Sequence, residues 1–236
     1  MVKLLKRVSQ VEIAMKIIAR IHTSFKEKFG IPRQSGITDG VAKIIFEPEY
    51  RRREAFNGIE GYSHLWLIWQ FSEAMREEWS PTVRPPRLGG NKRMGVFATR
   101  SPFRPNPIGL SSVKLVSVEY TKELGPVLTV SGADILDGTP IYDIKPYLAY
   151  TDSHPDALGG FADGVMDYKI DVDFPAELLK KIDMGLVPEL LTMLENDPRP
   201  SYKSTDEKEY GMRYAHYELF FTVKDGILHV TRVTEV

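Results

Sequence analysis

His64-Leu65-Trp66-Leu67-Ile68-Trp69-Gln70-Phe71 is an almost unbroken run of apolar and aromatic side chains. Its composition and continuity predict a strand buried on both faces. Working outward, residues 15–21 and 41–46 are apolar and β-branched and read as short strands. Residues 93–100, 111–120 and 127–135 continue the pattern, with a turn signal at residues 122–126 before the last of them. Residues 50–56 read as a short helix or a loop. Many short strands with few helices predict a mainly β chain folded as a barrel or a strongly curved sheet.

The character changes after residue 152. Asp152-Ser153-His154-Pro155-Asp156-Ala157-Leu158-Gly159-Gly160 opens a stretch rich in Gly, Asp and Pro, and it is the expected domain boundary. Residues 176–182 and 187–194 carry apolar side chains at helical spacing, separated by Gly185. Strands are expected at 213–223 and 226–233. Lys224-Asp225-Gly226 joins them, and Asp-Gly between apolar runs signals a hairpin.

A chain of 236 residues can bury a sizeable core without staples. It has no cysteine, which excludes disulfides, thiolate catalysis and cysteine-ligated metal sites. The five histidines are scattered without metal-ligand spacing, and no metal is expected. Net charge is −1, so any polyanion would have to meet a segregated cationic face. Neither a signal-peptide core nor a membrane span is apparent, and a cytoplasmic location is expected. No Gly-x-Gly-x-x-Gly fingerprint and no phosphate-binding Walker loop occur.

Chemistry concentrates in residues 84–110. Five prolines there (85, 86, 102, 105, 107) stiffen the backbone, and four glycines (89, 90, 95, 109) permit close approach. Between them stand Arg84, Arg87, Lys92, Arg93, Arg100 and Arg104, with Asn106 able to read a polar edge. No Asp or Glu occurs from Trp79 to Val118, so these cations lack a local partner in sequence. Stiff loops presenting unpaired guanidinium groups suit an anionic ligand or a nucleic acid. Three other groups are weighed beside it. Asp137-Gly138-Thr139-Pro140, followed by Asp143, Lys145 and Tyr147, reads either as an ordinary turn or as a carboxylate at a strand end. Pro32-Arg33-Gln34 is either a surface turn or a set of donors for a base edge. His64, at the head of its strand, reads as a satisfied core residue.

Four segments together resemble the TrmO family, also called TsaA-like or YaeB-like proteins. They are Pro32-Arg33-Gln34, the Gly61-x-Ser63-His64-Leu65-Trp66 segment, residues 84–111, and residues 134–152. The resemblance runs from about residue 17 to residue 152, and a late aromatic stretch is similar to the smaller domain of bacterial members. It implies a single-sheeted β-barrel N-terminal domain (1–155) with a smaller α+β C-terminal domain (156–236) that assists tRNA binding. It also implies a homodimer that transfers methyl from S-adenosylmethionine to N6 of N6-threonylcarbamoyladenosine beside the anticodon of threonine tRNA. By matching positions, cofactor contacts fall on Pro32, Arg33, Gln34, Arg100, Leu110, Asp137, Gly138, Thr139 and Pro140. Ser72 and Glu73 stand where members carry a His-Gln contact pair. Substrate contacts are expected from Arg84, Arg87, Lys92, Arg93, Arg104, Asn106, Lys145 and Tyr147, with Phe103 and Tyr147 as stacking surfaces. The base is open among Asp134, Asp137 and Asp143. A non-catalytic module binding S-adenosylmethionine or a nucleotide is the competing reading.

Overall fold

A computed structural model describes residues 14–75, 78–85, 92–165, 168–199 and 208–236. Strands β1 (Ala19–His22), β2 (Val41–Phe46), β3 (His64–Gln70), β6 (Ile108–Thr121), β7 (Gly125–Ser131) and β8 (Pro140–Pro146) form the first unit. They close an antiparallel barrel in the order β1-β2-β7-β6-β3-β8. Closure removes every sheet edge. Its interior is filled by Ile21, Ile44, Leu65, Leu67, Leu128, Val130, Ile135 and Ile141, all fully buried.

The founding strand departs from its expectation in one respect. Leu65, Leu67 and Trp69 are buried, but Trp66, Ile68 and Gln70 are only half covered. A barrel strand has one face inside and one outside. The outer face of β3 is sheltered by the chain leaving the barrel: Tyr147 packs on Trp66 at 5.5 Å, and the Trp66 indole donates to Asp152 at 2.8 Å. His64 is likewise no core residue. It is half-exposed, hydrogen-bonded through Nδ1 to Ser63 at 2.9 Å.

The expected strand at 93–100 is cut to the pair β5 (Met94–Gly95), bonded to β4 (Thr82–Val83), and then turns as a 3₁₀ helix (Val96–Ala98). Prolines and glycines on both sides limit it. Residues 50–56 form 3₁₀ turns, Pro48–Tyr50 and Arg53–Phe56. β8 itself was not expected as a strand, because Asp137–Pro140 read as a turn or a site and masked the alternation that follows.

Beyond α1 (Ala149–Asp152) lies a second sheet, β10 (Tyr210–Tyr214), β11 (Tyr217–Lys224) and β12 (Ile227–Glu235), with β9 (Asp171–Asp173) parallel to β12. The segment expected as one strand at 213–223 is broken, because Ala215 turns with φ +52°. The Asp225-Gly226 hairpin forms as expected, with φ +51° and +80°, the two positive values a type I′ turn needs. Helices α2 (Ala176–Leu179) and α3 (Val187–Glu195) accompany this sheet, and Leu190, Met193 and Leu194 of α3 enter its core.

Two facts about connectivity place the site. The long connections 23–40, 71–107 and 132–139 all emerge from one end of the barrel, where β1, β3 and β7 finish and β2, β6 and β8 begin. The first of them also belongs to the second core: Phe29 stacks on Tyr210 at 6.2 Å and on Phe221 at 6.3 Å, and Phe25 bridges Tyr214.

Candidate active site

At that barrel end the three connections meet through polar side chains. Arg100, from the second connection, donates through Nη1 to the Gln34 side-chain oxygen of the first. Ser111, buried near the start of β6, donates to Asp134 Oδ1 at 2.6 Å and accepts from the Trp69 indole at 3.0 Å. Ser35 completes the group by accepting from the Ser112 amide at 3.2 Å. Burial pushes the Asp134 carboxyl above its ordinary range, opposed less strongly by Ser111 and by the charge of Arg100. A carboxyl held this way beside a guanidinium is a proton acceptor poised nearer neutrality than a surface aspartate. Gly109 makes the packing feasible, since a Cβ there would overlap the Trp69 ring.

Pro32 is buried on the same loop. Arg33 reaches the second unit, donating from Nη2 to the carbonyl oxygens of Asp197 at 3.2 Å and Arg199 at 3.3 Å. Those carbonyls are held by a buried ion pair, Arg199 Nε to Asp197 Oδ1 at 2.9 Å, with both side chains under a tenth exposed. Burial alone would raise the Asp197 pKa, but the bonds and charge of Arg199 outweigh it and hold it low. A second tie lies nearby. Glu189 of α3, buried, accepts from Tyr214 at 2.7 Å and Thr38 at 3.3 Å, and its carboxyl occupies the place a Cβ on Gly40 would take.

Asp137 faces β1. It accepts from the Thr23 amide at 3.0 Å and from Lys26 at 2.8 Å, with His22 at 3.5 Å. Burial pulls its pKa up, yet Lys26 and Thr23 prevail and keep it ionised and low. Gly138, at φ +75°, donates to the Ile21 carbonyl, while Thr139 and Pro140 are buried. Lys28 carries the first connection toward Ser72 and Glu73, bonding the Glu73 carbonyl at 2.6 Å and pairing with its carboxylate at 3.2 Å.

The expected residues divide accordingly. Gln34 and Arg100 meet directly, with Asp134 close by. Ser72, Glu73 and Asp137–Pro140 belong to the same barrel end. Leu110 is exposed on the outer wall, beside an open hollow of about 360 Å³ that also takes in Trp66, Ile68 and Lys145. Arg93 bonds Thr82 at 2.9 Å, Arg104 bonds the Thr99 carbonyl at 3.3 Å, and Arg84, Lys92 and Asn106 are exposed. Arg87 lies outside the described residues.

Lys145 and Tyr147 sit apart from Asp137–Pro140, although Lys145 shares the hollow beside Leu110. They lie toward the far end of β8, five residues or more beyond Pro140, a strand distance of about 16 Å. There Lys145 pairs with Asp143 at 3.0 Å. Sequence reading missed Trp69, Ser111 and the turn 197–199 as members. Ser111 sits inside the quoted 84–111 segment, but nothing local marks a serine as buried beneath a carboxylate.

Residues 20–153 match the tRNA-methyltransferase O N-terminal domain and residues 167–236 the TrmO C-terminal domain. A tRNA (adenine(37)-N6)-methyltransferase of Escherichia coli is 42% identical over 214 residues, covering 88% of this chain and 90% of that protein. One of the same name from Eikenella corrodens is 43% identical over 179 residues, 74% of this chain and 98% of the relative. The crystal structure of TrmO from Pseudomonas aeruginosa superposes with TM-score 0.78 at 30% identity, covering 97% of this chain and all of that one.

Proposed function

The chain belongs to the tRNA-methyltransferase O family, and we propose that it transfers a methyl group from S-adenosylmethionine to N6 of N6-threonylcarbamoyladenosine next to the anticodon of threonine tRNA. The observation that carries the reading is the meeting of Gln34, Arg100 and Asp134 where three barrel connections converge.

The donor set fits the cofactor. Arg100 supplies a forked donor for a carboxylate, Gln34 an amide for a polar edge, and the ionised Asp137 carboxylate a negative field that favours a positive centre. Pro32, Arg33, Ser72, Glu73, Leu110 and Gly138–Pro140 are carried as further contacts by the family resemblance. The cofactor supplies an electrophilic methyl group on sulfur. The protein aligns the acceptor nitrogen and relieves it of its proton. Asp134 is buried, bonded to Ser111 and raised in pKa, whereas Asp137 and Asp143 pair with lysines among the described residues, so we assign Asp134 as the proton acceptor. Arg104 would meet the threonyl carboxylate, and that contact would select the modified adenosine over plain adenosine.

Arg84, Lys92 and Arg93 would carry tRNA phosphates. Homodimerisation, a cytoplasmic location and a division near residue 155 belong to the same reading; the two separate hydrophobic cores support the division. A barrel that only bound the cofactor would share the arginine loops but would need no proton acceptor such as Asp134 and no pocket for the acceptor base. Incubation with S-adenosylmethionine and threonine tRNA lacking this methyl group, followed by nucleoside mass spectrometry, tests the proposal. A 14-Da gain on N6-threonylcarbamoyladenosine is expected. Cofactor binding without any transfer to tRNA would overturn it.

A further inference from the structure

One pair of aromatic rings is held out toward solvent beside the site. Val96 is 1% exposed and anchors the 3₁₀ turn that follows β5, while its neighbour Phe97 is 73% exposed. Trp79, at 51% exposure, lies 6.1 Å from Phe97 with the rings tilted by 31°. The turn is tied down: the Val96 amide donates to the Pro81 carbonyl at 2.9 Å, and Arg93 bonds Thr82 across the ribbon. A fixed backbone therefore presents apolar area to water that packing could have used elsewhere.

We propose that Trp79 and Phe97 form a stacking platform for an unpaired base of the tRNA anticodon loop flanking the methylated adenosine, an inference that rests on the tRNA reading above. The ring centroids are only 6.1 Å apart and the rings are tilted, so a base stacks on the outer face of the pair and does not enter between them. Charge selects RNA as the occupant. From residue 79 to residue 118 the chain carries seven cations and no Asp or Glu. A second copy docked by two-fold symmetry centred on this patch would set it against itself, cation facing cation. A polyanion whose bases have exposed faces satisfies both the charge and the rings. Phe97 also precedes Arg100 by three residues, so their Cα atoms are within about 11 Å, the reach of neighbouring nucleotides in one loop.

The test uses the full chain, S-adenosylmethionine and threonine tRNA that carries N6-threonylcarbamoyladenosine but lacks the added methyl group. Phe97→Ala and Trp79→Ala should each weaken tRNA binding about ten-fold, leave cofactor affinity unchanged, and leave the salt dependence of tRNA binding unaltered, because a stack releases no counterions. Phe97→Tyr should restore binding. Arg93→Ala should instead flatten the salt slope by about one. Unchanged tRNA affinity in both alanine variants overturns the proposal. So does a loss that tracks with a change of oligomeric state in sedimentation, which would make the pair a contact between copies. If wild-type protein binds tRNA through these rings but transfers no methyl group, the catalytic reading falls and the platform stands.

Discussion

Arg33 of the barrel's first connection donates to the backbone carbonyl of Asp197 in the second unit, at 3.2 Å. A side chain in the Pro32-Arg33-Gln34 motif is thereby spent on holding the loop, while Gln34 next to it meets Arg100. The turn at 197–199 is rigid because Arg199 folds back onto the Asp197 carboxylate in a buried pair.

Arg199→Ala should therefore be felt twice. Removing one partner of a buried pair leaves an uncompensated carboxylate and costs about 3–5 kcal/mol. It also frees the carbonyls that Arg33 grips. Urea denaturation should register the first effect. Calorimetric titration with S-adenosylmethionine, at a temperature where the variant is still folded, should register the second as weaker binding, although the side chain removed reaches the expected cofactor contacts only through the backbone that Arg33 grips.

Asp134→Asn should bind cofactor and tRNA but lose methyl transfer by about 10²–10⁴-fold, the usual worth of a positioned base. The wild-type rate should fall as pH is lowered through the raised pKa of Asp134, since only the ionised form accepts a proton. Single-turnover rates across pH check both. An unchanged rate in the asparagine variant would remove Asp134 from the chemistry.

Gly109→Ala places a methyl group into the Trp69 indole. Overpacking costs about 1–3 kcal/mol, and here it displaces the ring that donates to Ser111 and so to Asp134. A lower Tm together with a kcat loss larger than the stability change explains is expected.

Glu189 has its pKa raised above the ordinary 4.5, by burial first, with the bonds from Tyr214 and Thr38 opposing. A carboxyl that is harder to ionise when folded stabilises the fold most while protonated in both states. That contribution disappears as pH climbs from about 4.5 through the raised value. Glu189→Gln, which keeps the shape without the charge, should then gain stability relative to wild type between pH 5 and pH 8. Denaturation curves of the two proteins at both pH values measure the difference.

Much of this was legible in the chain. The barrel strands Val41–Phe46, His64–Gln70, Ile108–Thr121 and Gly125–Ser131 each carry enough apolar or β-branched residues to declare themselves, and Asp225-Gly226 declared its hairpin. What stayed hidden is non-local. Gln34 and Arg100 are 66 positions apart, and Arg33 and Asp197 are 164 apart. No periodicity reports such a pairing. Lys145 and Tyr147 belong to the same motif as Asp137, yet a strand intervenes and carries them toward the barrel's other end, a separation the motif alone does not reveal. The outer half of β3 misled because aromatic content reports burial without saying which face is covered.

Since Phe25 and Phe29 are rooted in the smaller core while Gln34 faces the barrel, one stretch of backbone answers to both halves. A copy whose C-terminal half had come undone would keep an intact barrel but a slack grip on its methyl donor. Damaged molecules would thus fall silent before they fell apart, and would leave their tRNA unmarked.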